Sequence, residues 1–121
     1  MKPNPNITVL YLDDEPINLK VIELTLGRYF NIIICNNASD ALNQVKNNKA
    51  LTHVISDLLM PDMNGLEFIK KAQNLNNHIK YYIHSGINMS NEIEEAIANK
   101  TIDGFFEKPL DLNSIYNSIN A

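Results

Sequence analysis

Five short apolar runs alternate with five amphipathic segments along the 121-residue chain, and this alternation is what most constrains the fold. The runs are strand-length and rich in β-branched residues, whereas the segments between them carry apolar residues at helical spacing. Strict alternation of strands and helices predicts a parallel sheet covered by helices on both faces. The predicted strands are Ile7–Leu12, Asn31–Cys35, Thr52–Ser56, Lys80–His84 and Ile102–Glu107.

Helix starts are indicated by proline in a first turn and by short polar capping residues. Either Ser90 or Asn91 could cap the fourth helix, and Asn99 could provide a left-handed residue at its end. The Pro- and Asn-rich residues 1–6 are expected to be a flexible lead, with one domain over residues 7–121. The predicted helices are Pro16–Arg28, Ser39–Asn47, Gly65–Leu75, a fourth ending near Ala98 and a fifth running from the Asp111 cap to Ile119.

Composition excludes several classes of protein. The formal net charge is −4 and no basic run is present, which argues against direct binding to nucleic acid. No apolar run approaches the roughly 20 residues that a membrane span needs, and the first residues are not those of a signal peptide. Cys35 is the single cysteine, so no internal disulfide can form and a cytoplasmic location is predicted.

Polar residues follow four of the predicted strands at the point where each strand ends. Asp13 and Asp14 follow the first strand, Asp57 the third, Ser85 the fourth and Lys108 the fifth. Right-handed crossovers in a parallel sheet bring these strand ends to one edge, where ligands usually bind. The sequence therefore predicts one site that combines carboxylates, a hydroxyl and a lysine.

These residue types together suit phosphoryl transfer. Three crowded carboxylates repel one another unless a cation or a proton intervenes, and Mg²⁺ suits a site of a few carboxylates, waters and a phosphate oxygen. A hydroxyl and a lysine would supply donors to the remaining phosphoryl oxygens. The chemistry that this pattern predicts is transfer of a phosphoryl group onto Asp57.

The same residues resemble the receiver domains of two-component response regulators, over nearly the whole chain. The resemblance implies a doubly wound, flavodoxin-like α/β fold with five helices around a five-stranded parallel sheet of order 2-1-3-4-5. The matching residues are Asp13-Asp14-Glu15-Pro16, Asp57 with Met60-Pro61 and Gly65, Ser85-Gly86, and Lys108-Pro109.

The resemblance implies a role for each of the three aspartates at the strand ends and for Leu59. Asp57 would be the phosphoacceptor, taking the phosphoryl group from a phosphohistidine of a sensor histidine kinase or a histidine phosphotransfer protein. Asp14 and Asp57 would bind Mg²⁺ directly, together with the backbone carbonyl of Leu59. Asp13 would act on the metal through water.

The resemblance also implies a switch. Lys108 would contact the phosphoryl group, with a cis peptide bond before Pro109. Ser85 would move toward the phosphate, and Phe105 would turn inward behind it. Phe105 and Phe106 should point to opposite faces of their strand. The output would be a changed surface formed by the fourth helix, the fifth strand and the fifth helix, read by an unspecified downstream effector.

The first predicted helix has two apolar stripes on nearly opposite sides, although a helix on a sheet needs only one. One alternative is that the last helix covers the stripe that does not face the sheet. The other is that this stripe stays exposed and that Ile17 and Leu24 dock the phosphodonor, as this helix does in the family. The stripes are Ile17, Val21 and Leu24 on one side and Leu19, Ile22 and Leu26 on the other.

Two further expectations concern the lifetime of the phosphorylated state and the histidines. Leu59 and Ile87 are apolar where the family borders the phosphate, which predicts slow self-dephosphorylation because apolar neighbours position an attacking water poorly. The three histidines, His53, His78 and His84, show no metal-binding spacing and are expected to be structural or solvent-facing.

Three rival interpretations remain. The chain could be an interaction module that works without phosphorylation, although the retained site residues argue against this. It could be a phosphatase with an aspartyl intermediate, but those enzymes usually need a carboxylate where this chain has Leu59. A receiver would catalyse only its own phosphorylation and slow dephosphorylation. Finally, it could be a stand-alone regulator or a receiver excised from a hybrid histidine kinase or a larger regulator.

Overall fold

Five parallel strands form a single sheet in the computed structural model, which describes residues 1–86 and 90–121. The strands are β1 (Thr8–Leu12), β2 (Asn31–Cys35), β3 (His53–Ser56), β4 (Lys80–Ser85) and β5 (Gly104–Glu107). They are hydrogen-bonded in the order β2-β1-β3-β4-β5, and every pair is parallel. The predicted sheet topology is therefore confirmed.

Five α-helices connect and follow the strands: α1 (Pro16–Thr25), α2 (Ala38–Asn47), α3 (Gly65–Leu75), α4 (Asn91–Ala98) and α5 (Leu112–Ile119). Among the described residues, none of the helices has both the length and the apolar character needed to cross a bilayer.

The first helix is shorter than predicted, because Leu26–Arg28 forms a 3-10 turn in place of further α-helix. The tighter turn is closed by the N–H of Tyr29, which donates to the carbonyl oxygen of Leu26. Gly27 lies within this turn, and glycine is a poor residue for continuing an α-helix.

Side-chain caps fix the starts of the other four helices. In each case the capping oxygen accepts a hydrogen bond from the backbone N–H three residues later, at 2.8 to 3.4 Å. The sequence left two candidates for the cap of α4, and the structure selects Ser90. The caps are Asn37, Asn64, Ser90 and Asp111.

The end of α4 corrects the expectation for Asn99. Asn99 has right-handed helical angles, and Lys100 takes the left-handed conformation with φ 59°. The helix ends at Ala98 as predicted, but the left-handed position falls at Lys100, one residue later than predicted. The N–H of Thr101 then donates to the carbonyl oxygen of Ala96, which closes the helix end.

Two apolar layers cover the sheet, one on each face. The layer beneath α2, α3 and α4 includes Leu10, Leu12, Val54, Phe68, Ile69, Tyr81 and Ile83. The layer beneath α1 and α5 includes Val9, Tyr11, Ile22, Ile55, Phe106 and Ile115. Phe105 packs against the first layer and Phe106 belongs to the second, which confirms that they point to opposite faces.

The edge of the sheet at the carboxyl ends of the strands is called the carboxyl edge below. The N-terminal lead contacts the opposite end of the domain. The N–H of Asn4 donates to the carbonyl oxygen of Tyr29 at 2.6 Å, and the hydroxyl of Tyr116 in α5 donates to the carbonyl oxygen of Lys2 at 2.8 Å. The predicted flexibility of residues 1–6 stays a prediction.

Gly65, the first residue of α3, is in close contact with the backbone of Asp57. Its N–H donates to the carbonyl oxygen of Leu58 at 2.8 Å. A β-carbon at this position would collide with the carbonyl oxygen of Asp57 and would lie 2.8 Å from Cδ1 of Ile83. A side chain at position 65 would therefore push α3 away from Asp57.

We expect Gly65→Ala to reduce the free energy of unfolding by about 2 kcal/mol, because the new methyl group overpacks a backbone contact. Gly27→Ala is the matched control, since a β-carbon there would meet nothing closer than 3.9 Å. Urea denaturation of both variants measures the effect. Equal stabilities would contradict the prediction.

His53 begins β3 and is buried on the α1/α5 side of the sheet. Its ring stacks on Tyr82 with centroids 6.2 Å apart, and Nδ1 lies 2.7 Å from Oγ1 of Thr52. Burial, with a further contribution from Lys80 and some opposition from Asp103, lowers the pKa of His53 from 6.5 to about 4. The folded chain therefore holds this ring neutral, which is consistent with the expected structural role.

This lowered pKa makes stability depend on pH. The unfolded chain binds the proton more readily, so the contribution of His53 is complete above about pH 6.5 and is lost as the pH falls toward 4. In that window, one such histidine changes the free energy of unfolding by at most about 1.4 kcal/mol per pH unit. We expect His53→Phe, which keeps a ring beside Tyr82, to show a shallower decline in urea denaturation between pH 6.5 and 4. An unchanged slope would contradict this assignment.

Candidate functional site

Backbone hydrogen bonds beyond the strand ends bring the predicted site residues to one edge of the sheet. The N–H of Asp57 donates to the carbonyl oxygen of Leu12 in β1 at 2.9 Å, and the N–H of Lys108 donates to that of Ser85 in β4 at 2.9 Å. The N–H of Asp13 likewise donates to the carbonyl oxygen of Cys35 in β2 at 3.2 Å. The residue after each strand is therefore held against the neighbouring strand.

Lys108 forms ion pairs with two carboxylates at this edge. Its Nζ lies 3.3 Å from Oδ2 of Asp13 and 3.5 Å from Oδ2 of Asp57. Asp13 is fully buried, whereas the ammonium group is partly exposed. The peptide bond between Lys108 and Pro109 is cis, as the resemblance implied.

Asp13 is also tied to the start of α1. Its Oδ1 accepts a hydrogen bond from the N–H of Glu15 at 2.9 Å, and its Oδ2 accepts one from the side-chain amide of Asn18 at 3.3 Å. Together with Lys108, these donors satisfy a carboxylate that would otherwise be costly to bury.

The environment of Asp57 opposes its ionisation. Burial is the largest influence and raises the pKa of the carboxyl group, and the nearby carboxylate of Asp13 adds to the rise. The Lys108 ammonium and the backbone N–H groups of Leu58 and Leu59 act in the opposite direction, but the net shift is upward. A further positive charge at this edge would therefore favour the ionised form of Asp57.

Three carboxylates form a cluster that could hold a metal ion. Asp13, Asp14 and Asp57 each offer one oxygen atom, and these oxygens all lie within 4.8 Å of one another. Asp14 is exposed, so the cluster opens to solvent on that side. An all-oxygen set of this kind fits a hard divalent cation such as Mg²⁺.

The other predicted residues lie around this cluster or on α1. Ser85 is buried at the end of β4, and Phe105 is half-buried in β5. The side chain of Leu59 is 58% exposed. Ile17 and Leu24 of α1 are 75% and 59% exposed, so α5 does not cover this apolar stripe, whereas Leu19, Ile22 and Leu26 are buried against the sheet.

One feature beside the site was not predicted. Tyr11 of β1 and His84 of β4 share a buried hydrogen bond, with 2.6 Å between the Tyr11 hydroxyl oxygen and Nδ1 of His84. Burial and the charge of Lys108 lower the pKa of His84 to about 4. The sequence analysis expected His84 to be structural or solvent-facing. Because β3 lies between the two strands, no local pattern links the pair.

The model of the response regulator receiver domain family matches residues 9–120. The chain belongs to this family. A receiver domain is a phosphoacceptor regulator of a two-component system and not an enzyme in the usual sense.

Among curated relatives, the receiver domain is 30% identical over 113 residues to the autoinducer 1 sensor kinase/phosphatase LuxN of Vibrio harveyi, covering 93% of this chain and 13% of LuxN. It is 27% identical to the Fimbriae Z protein of Salmonella typhimurium, covering 98% of this chain and 56% of that protein. The chain thus spans only part of the length of these relatives.

Solved structures with the same fold include a CheY-like receiver domain protein from Methanospirillum hungatei, with a TM-score of 0.83 and 23% identity over 94% of this chain and 90% of that one. A chain described as an adenylate cyclase from Rhodopirellula baltica gives a TM-score of 0.87 and 26% identity, over 93% of this receiver and 84% of that chain. Both likenesses agree with the observed sheet order and helix arrangement.

Proposed function

We propose that this receiver domain accepts a phosphoryl group on Asp57 from a phosphohistidine of a sensor histidine kinase or a histidine phosphotransfer protein. The observation that carries the proposal is the position of the Asp57 carboxylate, 3.5 Å from the Lys108 ammonium and within the three-carboxylate cluster. One carboxylate oxygen of Asp57 forms the bond to phosphorus, and the bond from phosphorus to the histidine nitrogen breaks.

The proposed cofactor is Mg²⁺, held by Asp14, Asp57 and the backbone carbonyl of Leu59, with Asp13 acting through water. When bound, it neutralises negative charge on the phosphoryl oxygens. The chain supplies the remaining positive charge through Lys108, whose ammonium contacts those oxygens. Ser85 would donate a hydrogen bond from the end of β4.

Phosphorylation would shift the population toward a state in which Ser85 moves to the phosphate and Phe105 turns inward behind it. Phe105 is half-buried before this change, so a small movement of β5 can alter its exposure. The output surface would be formed by α4, β5 and α5 and read by a downstream effector. A cytoplasmic location and the absence of direct nucleic-acid binding are parts of the same proposal.

The experiment that tests this function is binding of beryllofluoride with Mg²⁺, followed by backbone NMR of the chain and of Asp57→Asn. Saturable shifts around residue 57 that spread to Ser85, Phe105 and α4, and that vanish in the variant or without Mg²⁺, are expected. Asp62→Asn, an exposed carboxylate in the following loop, is the matched control and should behave like the unchanged chain.

The same experiment separates the rival functions. Shifts confined to the pocket would indicate a phosphate carrier without a conformational output. No binding at all would favour an interaction module that works without phosphorylation. A receiver cut from a hybrid kinase, as the partial match to LuxN suggests, would give the same shifts as a stand-alone regulator, and the length of the native gene product distinguishes those two.

Slow self-dephosphorylation is a separate prediction of this function. The exposed, apolar Leu59 lies two residues after Asp57 and offers an attacking water no hydrogen bond. Ile87, the second residue behind this expectation, lies outside the described residues. We expect Leu59→Asn to shorten the lifetime of the phosphorylated chain, followed as loss of ³²P from Asp57. A lifetime of only seconds in the unchanged chain would contradict the prediction.

Docking of the phosphodonor on α1 is the last prediction from this proposal. We expect Ile17→Glu and Leu24→Glu to slow transfer from a protein phosphodonor at least tenfold, because each places a charge in the exposed apolar stripe. Phosphorylation by the small donor phosphoramidate should be unaffected. Leu75→Glu on α3 is the matched control, since Leu75 is also an exposed apolar side chain. Unchanged transfer from the protein donor in both α1 variants would rule out docking there.

A further inference from the structure

The hydrogen bond between Tyr11 and His84 connects the backbone supports of two site residues. The residue after Tyr11 in β1 accepts, through its carbonyl oxygen, the hydrogen bond from the N–H of Asp57 at 2.9 Å. The residue after His84 in β4 accepts the hydrogen bond from the N–H of Lys108 in the same way, also at 2.9 Å. The 2.6 Å contact between the Tyr11 hydroxyl oxygen and Nδ1 of His84 therefore joins the two strands that hold these backbones.

The end of β4 extends beyond its pairing with β3. The last pair of the β3–β4 ladder is Ser56 with Ile83, so His84 and the following residue lie past it. In contrast, β1 and β3 are paired up to their last residues, Leu12 and Ser56. The hydrogen bond from Tyr11 crosses β3 and links this end of β4 to the fully paired strand β1. The distance between the end of β4 and β1 therefore depends on this side-chain bond.

The ion pairs of Lys108 do not by themselves fix the position of its ammonium group. Its Nζ lies 3.3 Å from the carboxylate of Asp13 and 3.5 Å from that of Asp57, and its side chain is 25% exposed. A cavity of about 350 Å³, lined also by Asn18 and Val21, borders the lysine on the α1/α5 side of the sheet. Because packing leaves this space beside the side chain, the position of the ammonium depends on the backbone from which it extends.

Stability alone does not account for the buried pair of Tyr11 and His84. Both side chains are buried, but Nε2 of His84 has no hydrogen-bond partner among residues 1–86 and 90–121. An unpaired buried polar atom is destabilising, whereas replacing both members of a buried polar pair by apolar groups can be nearly neutral. The rest of this layer is largely apolar. A polar pair retained at such a cost indicates a role in the adjacent site.

We propose that the hydrogen bond between Tyr11 and His84 positions the ammonium of Lys108 for contact with a phosphoryl group. The inference rests on the proposed function, because that contact exists only when Asp57 carries the group. Misplacement of a reacting or stabilising group by about 1 Å can cost about 100-fold in rate, so a small movement of the end of β4 matters. Both members of the pair are positioning residues, since they act through the backbone that holds the lysine.

Binding of beryllofluoride and binding of Mg²⁺ separate this positioning role from a purely structural one. Tyr11→Phe removes the hydroxyl and keeps the ring. At saturating Mg²⁺, NMR titration should show its dissociation constant for beryllofluoride raised about fivefold or more, because the lysine contacts the bound group. Its dissociation constant for Mg²⁺ alone should stay within about twofold, because the three carboxylates follow the fully paired strands β1 and β3. In the metal-free variant, the amide signal of Lys108 should already be shifted.

Tyr81→Phe is the matched control. Tyr81 is also a buried tyrosine of the sheet, and its hydroxyl donates to the carbonyl oxygen of Asn76 at 2.7 Å, beneath the helices of the opposite face. This variant likewise loses one hydroxyl hydrogen bond, but not one that supports Lys108. Its affinity for beryllofluoride and the amide signal of Lys108 should therefore be unchanged.

Two substitutions of His84 test the other member of the pair. Leucine and asparagine have the same shape, but only the amide can hydrogen-bond to the Tyr11 hydroxyl from the position of Nδ1. His84→Leu should weaken beryllofluoride binding as much as Tyr11→Phe does, and His84→Asn should retain most of the affinity. The double variant Tyr11→Phe/His84→Leu should bind no more weakly than either single variant, because both remove the same bond.

Three outcomes would overturn the proposal. They are undiminished beryllofluoride binding in Tyr11→Phe, an equal loss in Tyr81→Phe, and a parallel loss of Mg²⁺ affinity in Tyr11→Phe. The comparison of the two tyrosine variants stands even where the variants of His84 do not fold. Failure of the unchanged chain to bind beryllofluoride would contradict the phosphoacceptor function, and this inference with it, whereas equal binding by the unchanged chain and Tyr11→Phe would contradict the inference alone.

Discussion

The ion pairs of Lys108 with Asp13 and Asp57 are the interaction on which the carboxyl edge depends. A fully buried carboxylate such as Asp13 is strongly destabilising without a paired cation. One ammonium serves two carboxylates, and Asp14 adds a third, so the edge keeps an excess of negative charge. That excess explains why a divalent cation fits the cluster. Burial, with a smaller contribution from the carboxylate of Asp13, raises the pKa of Asp57 despite its contact with Lys108.

The sheet connects this edge to both of its faces, because neighbouring residues of a strand point in opposite directions. His84 lies beneath α1, whereas Ser85, the next residue, ends the strand at the carboxyl edge. Phe105 and Phe106 similarly belong to different apolar layers. A displacement of the backbone at the end of β4 or β5 therefore moves side chains in both layers at once. The proposed switch could therefore alter the packing of the helices on either face of the sheet.

The sequence predicted what is local and left open what depends on distant pairing. The parallel sheet, the helix starts and the residues of the carboxyl edge follow from apolar periodicity, capping residues and polar residues at the ends of apolar runs. The strand order was implied by the resemblance to receiver domains. The burial of Asp13 depends on its pairing with Lys108, 95 residues later, and no local pattern predicts that contact. The Tyr11–His84 bond joins strands separated by β3, and the sequence analysis expected only that His84 would be structural or solvent-facing. The left-handed residue is Lys100 and not Asn99, because Asn99 keeps right-handed angles after the end of α4, a one-residue difference that propensity does not resolve.

The first helix shows how local and distant constraints combine. Its inward stripe is fixed by the sheet, and this leaves the stripe containing Ile17 exposed beside the carboxyl edge. The start of the helix is in turn fixed to the site, because Asp13 accepts hydrogen bonds from Glu15 and Asn18 while it pairs with Lys108. A protein that docks on α1 is thereby positioned relative to Asp57 through three short contacts of one buried carboxylate. Asp13 would thus do more than act on a metal through water, since it also positions the exposed stripe of α1 relative to Asp57, the proposed phosphoacceptor.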